Sequence, residues 1–250
     1  TLFDFPFEDR GKLTRWSDVT TAEADSPIVG SQAQRVKELG ECLEYFTKLK
    51  QKRAHGPAGF DLVTMLAQDA ATKDQPAHEF LGNLMLLIVG GNDTTRNSIS
   101  GGVLALNQYP EQYEKLIDNP SLIRNMVSEI IRWQTPIPHM RRTALEDVEI
   151  GGEHISKGDK VIMWYISGNR DETQFKNAER LIIDRKNARS HLSFGYGIHR
   201  CMGNRMAEMQ LRVLWEEILP RFKVEVVGRP ARIRSNLIRG YSDLPVRIVA

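Results

Sequence analysis

A glycine-rich turn that ends in a cysteine constrains this chain more than any other stretch. The turn covers residues 191–203 and reads HLSFGYGIHRCMG. Glycine reaches backbone conformations that are closed to other residues, so Gly195 and Gly197 allow another group to approach the main chain closely. Apolar residues then recur at helical spacing as far as Pro220, which predicts a helix directly after Cys201. The positive end of a helix dipole favours the thiolate form of a cysteine, which is the form that binds metal.

A second constraint is the longest helical pattern of the chain, which follows Pro76 and extends to about Tyr109. At 1.5 Å per residue this helix would span roughly 50 Å, which is enough to cross a whole domain. Residues 81–89 are apolar on nearly all sides, and this predicts that the middle of the helix is buried.

The predicted buried middle leads into the string GGNDTT, whose residue types are unfavourable inside a helix. Gly90 and Gly91 would leave space for a ligand to lie against the helix. Asp93 supplies an ionisable group, and Thr94 supplies a hydroxyl that can turn toward a ligand or back onto the helix carbonyls. Residues that disfavour a helix inside a predicted helix indicate a functional site. The alternative is a glycine kink with an exposed acid and no function.

Together these patterns resemble the cytochrome P-450 superfamily, the haem-thiolate monooxygenases. The loop matches F-G-x-G-x-H-x-C-x-G, the helix matches A/G-G-x-D/E-T-T/S, and Glu129 with Arg132 matches E-x-x-R. The resemblance implies an α+β fold, mainly α with small β-sheets, and haem b as cofactor. It also implies that Cys201 is the axial ligand of the haem iron. Asp93 and Thr94 would deliver protons during the activation of O2.

The resemblance also assigns the remaining contacts of the haem. Arg142 and His199 align with residues that contact the haem propionates, and a guanidinium suits a carboxylate through two parallel hydrogen bonds. The glycine motifs contribute Phe194, Gly195, Gly90 and Gly91. By spacing alone, Glu129 and Arg132 would form a surface ion pair of about 0.3 kcal/mol. In the family this pair is buried and connects its helix to an irregular segment, the meander, expected here over residues 172–190.

Apolar segments supply the expected substrate wall. Pro136 and Pro138 favour extended chain, and the family places this segment beside the haem. A hairpin tip over residues 236–240 would also point at the substrate. The wall candidates are Leu86, Leu87, Val89, Ile137, Pro138, His139, Met140, Leu237 and Ile238. They suit an apolar small-molecule substrate, although His139 is equally well explained as a polar loop residue.

The strings GGNDTTRNSISGG and RWQTPIPHMRRTA are similar to those of bacterial soluble alkane and fatty-acid terminal hydroxylases. The resemblance therefore implies terminal hydroxylation of medium-chain n-alkanes or fatty acids. Two alternatives stay open. The same fold could hydroxylate terpenes, steroids or polyketides, or this piece could be a non-catalytic haem-binding fragment.

The composition limits the partners and the compartment. A net charge of +2 gives no general attraction for nucleic acid. Cys42 and Cys201 do not form a disulfide framework, and a functional thiolate fits a reducing, cytoplasmic compartment. The sequence shows no nicotinamide, flavin or iron–sulfur motif, so the resemblance implies a ferredoxin and a ferredoxin reductase as electron donors. Arg200 and Arg205 would form a basic docking patch, or equally an ordinary solvated face.

The first residues, TLFDFPFEDR, are typical of the middle of a chain. The resemblance implies that residues 1–250 are the C-terminal portion of a single monooxygenase domain, with the N-terminal helices absent. Local signals predict that Ser31 and Ser121 each begin a helix. They also predict a short helix over residues 60–70, a hairpin around Gly151 and Gly152, and a strand over residues 161–166.

Overall fold

The computed structural model describes residues 3–23 and 26–249. Across these residues the fold is mainly helical with small antiparallel sheets, as the sequence predicts. The helices are α1 (Arg10–Thr21), α2 (Gln32–Ala54), α3 (Leu62–Gln68), α4 (Ala77–Gln108), α5 (Pro110–Asp118), α6 (Ile123–Gln134), α7 (Tyr165–Gly168) and α8 (Asn204–Ile218). The strands are β1 (Met140–Thr143), β2 (Val148–Ile150), β3 (Glu153–Ile155), β4 (Lys160–Met163), β5 (Lys223–Val226), β6 (Ala231–Arg232), β7 (Tyr241–Asp243) and β8 (Val246–Val249). The chain divides into two compact units, Thr1–Asp93 and Thr94–Ala250.

The first unit has a core of aromatic and aliphatic side chains from its helices, including Trp16, Cys42, Phe46, Val63, Leu84 and Ile88. Ser31 begins α2 as predicted, because its Oγ accepts a hydrogen bond from the Gln34 N–H at 3.1 Å. Helix α3 is shorter than the predicted helix. The Asp61 carboxylate accepts a hydrogen bond from the Thr64 N–H at 2.9 Å and so begins the helix at Leu62. Phe60 therefore precedes the helix and is exposed.

Helix α4 has the predicted length, since its 32 residues correspond to about 48 Å. The prediction that residues 81–89 are buried is correct for one face of the helix and wrong for the other. Leu84 and Ile88 are buried in the core of the first unit, whereas Leu86 is 73% exposed. Residues four apart share a helix face, so Leu86 points away from the side that Leu84 and Ile88 bury. In the described parts of the chain, no helix combines the length and the apolar character that crossing a bilayer requires.

The second unit packs α6 and α8 around one core. Ile130 of α6 is buried with Leu211 and Trp215 of α8 in the same apolar cluster. Ile130 also lies close to α4, because a Cβ on Gly102 of that helix would be only 2.8 Å from Ile130 Cδ1. The prediction that Ser121 begins α6 is wrong. Ser121 lies in a separate 3-10 turn, Pro120–Leu122, which is capped by the Asn119 side chain.

The strands of the second unit form two-stranded antiparallel sheets, in which β1 pairs with β4, β2 with β3, β5 with β8 and β6 with β7. Gly151 and Gly152 form the predicted hairpin turn with φ angles of +62° and +84°. Strand β4 ends earlier than predicted, because the chain turns into α7 and buries Tyr165. The meander predicted over residues 172–190 has no helix or strand over residues 172–187, whereas Ala188–Ser190 form a 3-10 turn.

Candidate functional site

Backbone turns fix the shape of the cysteine loop. Gly195 and Gly197 have φ angles of +67° and +72°, a region that favours glycine. A Cβ on Gly195 would also approach the Tyr165 hydroxyl to 3.2 Å. The Cys201 N–H donates a hydrogen bond to the Phe194 carbonyl at 2.8 Å and closes the loop. The result is a short rigid turn that presents the thiol of Cys201 at the protein surface.

The thiol lies at the start of α8. The helix begins at Asn204, and the carbonyl of its N-cap, Gly203, accepts the Ala207 N–H at 2.9 Å. A Cβ on Gly203 would lie 4.0 Å from Cys201 Sγ, so the sulfur is next to the first turn of the helix. The N–H groups at the start of a helix carry partial positive charge, and Cys201 lies beside them.

The chemistry of the loop surface fits a flat apolar ligand with a metal at its centre. Cys201 offers an exposed sulfur ligand, and the glycines around it leave the backbone uncovered. The neighbouring side chains are apolar and face outward, with Ile198 96% exposed and Met202 89% exposed. A porphyrin requires both properties, which are an apolar surface for the ring and a soft donor for the iron.

Arg142 and His199 are both positioned to meet an anionic group. Arg142 lies on β1 opposite Val161, half-buried, and its Nη1 donates to the Arg141 carbonyl at 3.0 Å. His199 ends a 3-10 turn, Gly197–His199, and is exposed two residues before the cysteine. Neither side chain forms an ion pair with any residue that the structure describes. Both side chains are thus open to a carboxylate such as a propionate.

Glu129 and Arg132 form a buried ion pair on α6 rather than a surface one. Arg132 donates to the Glu129 carboxylate through Nε at 2.7 Å and Nη2 at 2.8 Å, and both side chains are fully buried. Arg185 of the meander donates to both oxygens of the same carboxylate at 3.1 Å. Arg132 Nη1 also donates to the carbonyls of Asn169 and Ala178. The cluster therefore fastens α6 to the meander.

Asp93 is held by hydroxyl groups from α1. Its side chain is 1% exposed, and Asp93 Oδ2 accepts hydrogen bonds from Ser17 Oγ at 3.0 Å and Thr21 Oγ1 at 3.2 Å. The alternative, a glycine kink with an exposed acid, is therefore wrong, because Asp93 is buried. Sequence reasoning missed Ser17 and Thr21, although their spacing of four places both hydroxyls on one face of α1.

Open space surrounds the two glycines before Asp93. A Cβ placed on Gly90 or Gly91 would meet no atom within 4 Å. This agrees with the expectation that these positions leave space for a ligand. Thr94, in the second unit, is half-buried, and its carbonyl accepts a hydrogen bond from Ser98 Oγ at 2.8 Å.

The wall candidates are distributed over both units. In the first unit Leu86 is exposed, Leu87 and Val89 are half-buried, and Leu87 lines an open apolar cavity of about 460 Å³. In the second unit the half-buried candidates are Ile137, Pro138, His139 and Leu237, and Met140 is exposed. The His139 ring packs edge-on against Trp164 at 4.8 Å. Ile238 is only 2% exposed, so protein atoms enclose its side chain.

Comparison with known proteins identifies the family of the chain. The Cytochrome P450 family matches residues 30–237. A linalool 8-monooxygenase from Pseudomonas putida is 43% identical over 241 residues, which are 95% of this chain and 59% of that protein. A methyl-branched lipid omega-hydroxylase from Mycobacterium tuberculosis is 34% identical over 250 residues, 98% of this chain and 58% of that protein. The solved structure of Cytochrome P450-153 from Novosphingobium aromaticivorans superposes with a TM-score of 0.87 at 46% identity, covering 99% of this chain and 60% of that one.

An exposed cysteine in a glycine turn before a helix, together with a buried E-x-x-R pair, defines the haem-thiolate class. The chain belongs to the cytochrome P450 family, because the family match covers most of its residues. The cofactor of this family is haem b. The chain spans about three fifths of the length of the relatives that it matches.

Proposed function

We propose that this chain is the C-terminal portion of a haem-thiolate monooxygenase that inserts one oxygen atom of O2 into a C–H bond of an apolar substrate. The observation that carries the proposal is the exposed thiol of Cys201, which a rigid glycine turn presents beside the start of α8. Haem b bound through a cysteine thiolate supplies the oxygen chemistry, because the thiolate pushes electron density toward the iron and favours O–O cleavage.

The other residues of the site hold and surround the cofactor. Arg142 and His199 bind the haem propionates. Gly90 and Gly91 leave space beside α4, which agrees with the open volume at both positions. The motif residues Phe194 and Gly195 shape the loop through the Phe194 carbonyl and the positive φ of Gly195.

Asp93 and Thr94 control protons in this proposal. The Ser17 and Thr21 hydroxyls orient the Asp93 carboxylate inside the first unit, which fixes the atom at which a proton is held. Thr94 follows directly on the same helix and carries the hydroxyl that passes the proton onward. Water is kept from the carboxylate by burial, since Asp93 is 1% exposed.

The proposed reaction is terminal hydroxylation of medium-chain n-alkanes or fatty acids. Two findings support it, namely the similarity of the strings GGNDTTRNSISGG and RWQTPIPHMRRTA to those of terminal hydroxylases and the relative named as a lipid omega-hydroxylase. The apolar wall candidates suit a hydrocarbon chain, and the accessible ones are Leu86, Leu87, Val89, Ile137, Pro138, Met140 and Leu237. A second candidate is hydroxylation of terpenes, which the 43% identical linalool 8-monooxygenase favours.

A ferredoxin and a ferredoxin reductase are the proposed electron donors. Arg200 and Arg205 flank the cysteine and are both exposed. The Arg200 guanidinium lies 5.7 Å from the centre of the Tyr196 ring, which holds its charge at the loop surface. An acidic partner would bind such a surface with an affinity that falls as the salt concentration rises.

The test is the carbon monoxide difference spectrum of the haem-loaded 250-residue chain. We expect the thiolate-type spectrum from the unmodified chain and its loss in Cys201→Ser, with Cys42→Ser as a matched control that retains it. If the unmodified chain binds no haem, the activity proposed for it fails. If it binds haem but transfers no oxygen when supplied with electrons and O2, the non-catalytic fragment is the correct description.

Substrate shifts of the haem spectrum separate the two substrate classes. Octane and dodecanoic acid should each shift the spectrum more strongly than linalool does. The shift must be followed by product analysis, because only the products show whether the terminal carbon is oxidised. A response to linalool without a response to any linear chain would replace the first substrate class by the second.

A further inference from the structure

Asn169 has a buried side-chain amide whose nitrogen and oxygen both form hydrogen bonds. Its side chain has no solvent exposure. The Nδ2 group donates to Thr135 Oγ1 at 2.9 Å and to Ser193 Oγ at 2.8 Å, while Oδ1 accepts from the Leu192 N–H at 2.6 Å. Because such a group is costly to bury with any partner missing, its position is strongly determined by these contacts.

One side of this amide leads to the cysteine loop. Asn169 holds the N–H of Leu192, and the Leu192 carbonyl accepts the Gly195 N–H at 2.8 Å. The carbonyl of Phe194, which lies within that turn, accepts the Cys201 N–H at 2.8 Å. Only two backbone hydrogen bonds thus separate the Asn169 side chain from the Cys201 amide.

The other side leads to the buried ion cluster. The Asn169 carbonyl accepts from Arg132 Nη1 at 2.6 Å. Thr135 Oγ1 accepts from Asn169 Nδ2 and donates to the Arg132 carbonyl at 2.6 Å. Ser193 donates its hydroxyl to the Ile131 carbonyl at 2.8 Å. Asn169 is therefore bonded at once to the end of α6 and to the beginning of the cysteine loop.

We propose that Asn169 is a positioning residue that sets the geometry of Cys201 by joining the loop to the buried end of α6. The inference rests on the proposed haem-thiolate function, because that function gives the position of Cys201 its importance. Asn169 has no solvent exposure, and it acts through Leu192 and the loop backbone.

Amide hydrogen exchange on the haem-free 250-residue chain tests the connection directly. Asn169→Ala should raise the exchange rate of the Leu192, Gly195 and Cys201 amides by roughly tenfold, since a buried hydrogen-bond partner is removed. The control is Asn125→Ala. Asn125 also donates two hydrogen bonds, to the Ile183 and Arg185 carbonyls at 2.8 and 2.9 Å, but these lie in the meander.

A second variant covers the case in which Asn169→Ala does not fold. Asn169→Asp keeps the acceptor for Leu192 and removes the donors to Thr135 and Ser193, so the expected rise in exchange at the Leu192, Gly195 and Cys201 amides is smaller. Equal exchange at the Cys201 amide in the Asn169 and Asn125 variants would overturn the proposal.

The haem-loaded chain supplies a signature that a general loss of stability would not produce. We expect Asn169→Ala to convert a measurable part of the thiolate-type carbon monoxide spectrum to the thiol type. Asn125→Ala should keep the thiolate type even where it lowers the melting temperature equally. If Asn169→Ala binds haem with an unchanged thiolate fraction, the positioning role is wrong. If the unmodified chain binds no haem, the proposed function is wrong, and the exchange measurement alone decides the positioning role.

Discussion

Ser17 Oγ donates a hydrogen bond to Asp93 Oδ2 at 3.0 Å, and both side chains are buried. The bond joins α1 to α4 across 76 positions of the chain, inside the first unit. A hydrogen bond to a carboxylate is stronger than one between neutral groups, and burial raises the cost of losing it. The acid of the GGNDTT motif is thus held in place by a helix that lies far away in sequence.

We expect Ser17→Ala to lower the free energy of unfolding by about 1–3 kcal/mol, because it removes a donor from a buried carboxylate. Thr14→Ala is the control on the same helix, since the Thr14 side chain is exposed. Urea unfolding of both variants measures the difference. Equal losses would mean that the contact with Asp93 adds nothing to stability.

Thr94→Ala should raise the amount of peroxide released per electron consumed, because the proposed proton carrier is lost. Ser100→Ala is a matched control, as Ser100 lies on the same helix and its hydroxyl donates to the Arg96 carbonyl at 3.2 Å. Peroxide and electron consumption are measured with a surrogate ferredoxin and its reductase. Coupling in Thr94→Ala that equals the coupling of the unmodified chain would remove Thr94 from proton delivery.

His191 makes stability depend on pH between 5 and 7. Burial, with added repulsion from Arg132 and Arg200, lowers the pKa of His191 from 6.5 to about 4. The unfolded chain therefore binds a proton that the folded chain rejects, and stability falls as the pH drops through this window. The expected loss from pH 7 to pH 5 is roughly 2 kcal/mol.

The measurement for His191 is urea unfolding at both pH values, in the unmodified chain and in His191→Gln. The variant has no imidazole, so the difference in its stability between pH 7 and pH 5 should be smaller by that amount. His154, on the exposed hairpin of β2 and β3, supplies the control through His154→Gln. A pH dependence that His191→Gln leaves unchanged would assign the effect to other groups.

The sequence predicts those parts of the fold that local patterns determine. Pro76 precedes α4 and Pro110 follows it, as the sequence indicates. Gly195 and Gly197 adopt left-handed conformations, as their positions in the loop suggest. Contacts between distant residues have no such signal. Arg185 binds Glu129 from 56 positions away. It lies in an irregular segment, where no helical or strand periodicity marks which residues face the core.

The exposure of Leu86 also could not be read from hydrophobicity. An apolar residue in a helix is buried only when another element covers its face, and composition does not identify that element. Leu84 and Leu86 are the same residue type two positions apart, yet the first is buried and the second is 73% exposed. The same limit applies to Ile238, which was expected on a ligand-facing wall and is enclosed by protein.

Glu129→Gln should be the most destabilising of the changes considered. It removes the charge that two buried guanidinium groups share, those of Arg132 and Arg185. Breaking a buried ion pair from one side costs about 3–5 kcal/mol, because the remaining charges lose their partner without regaining water.

The control for Glu129 is Glu111→Gln, which removes an exposed carboxylate that accepts from Arg180 Nη2 at 2.8 Å. Water replaces that partner, so little change in stability is expected. Chemical unfolding of both variants, with far-UV circular dichroism to show whether Glu129→Gln still folds, measures the contrast. Similar stabilities for the two variants would mean that the buried cluster does not fasten α6 to the meander, and the route from α6 through Asn169 to Cys201 would then lack its rigid end.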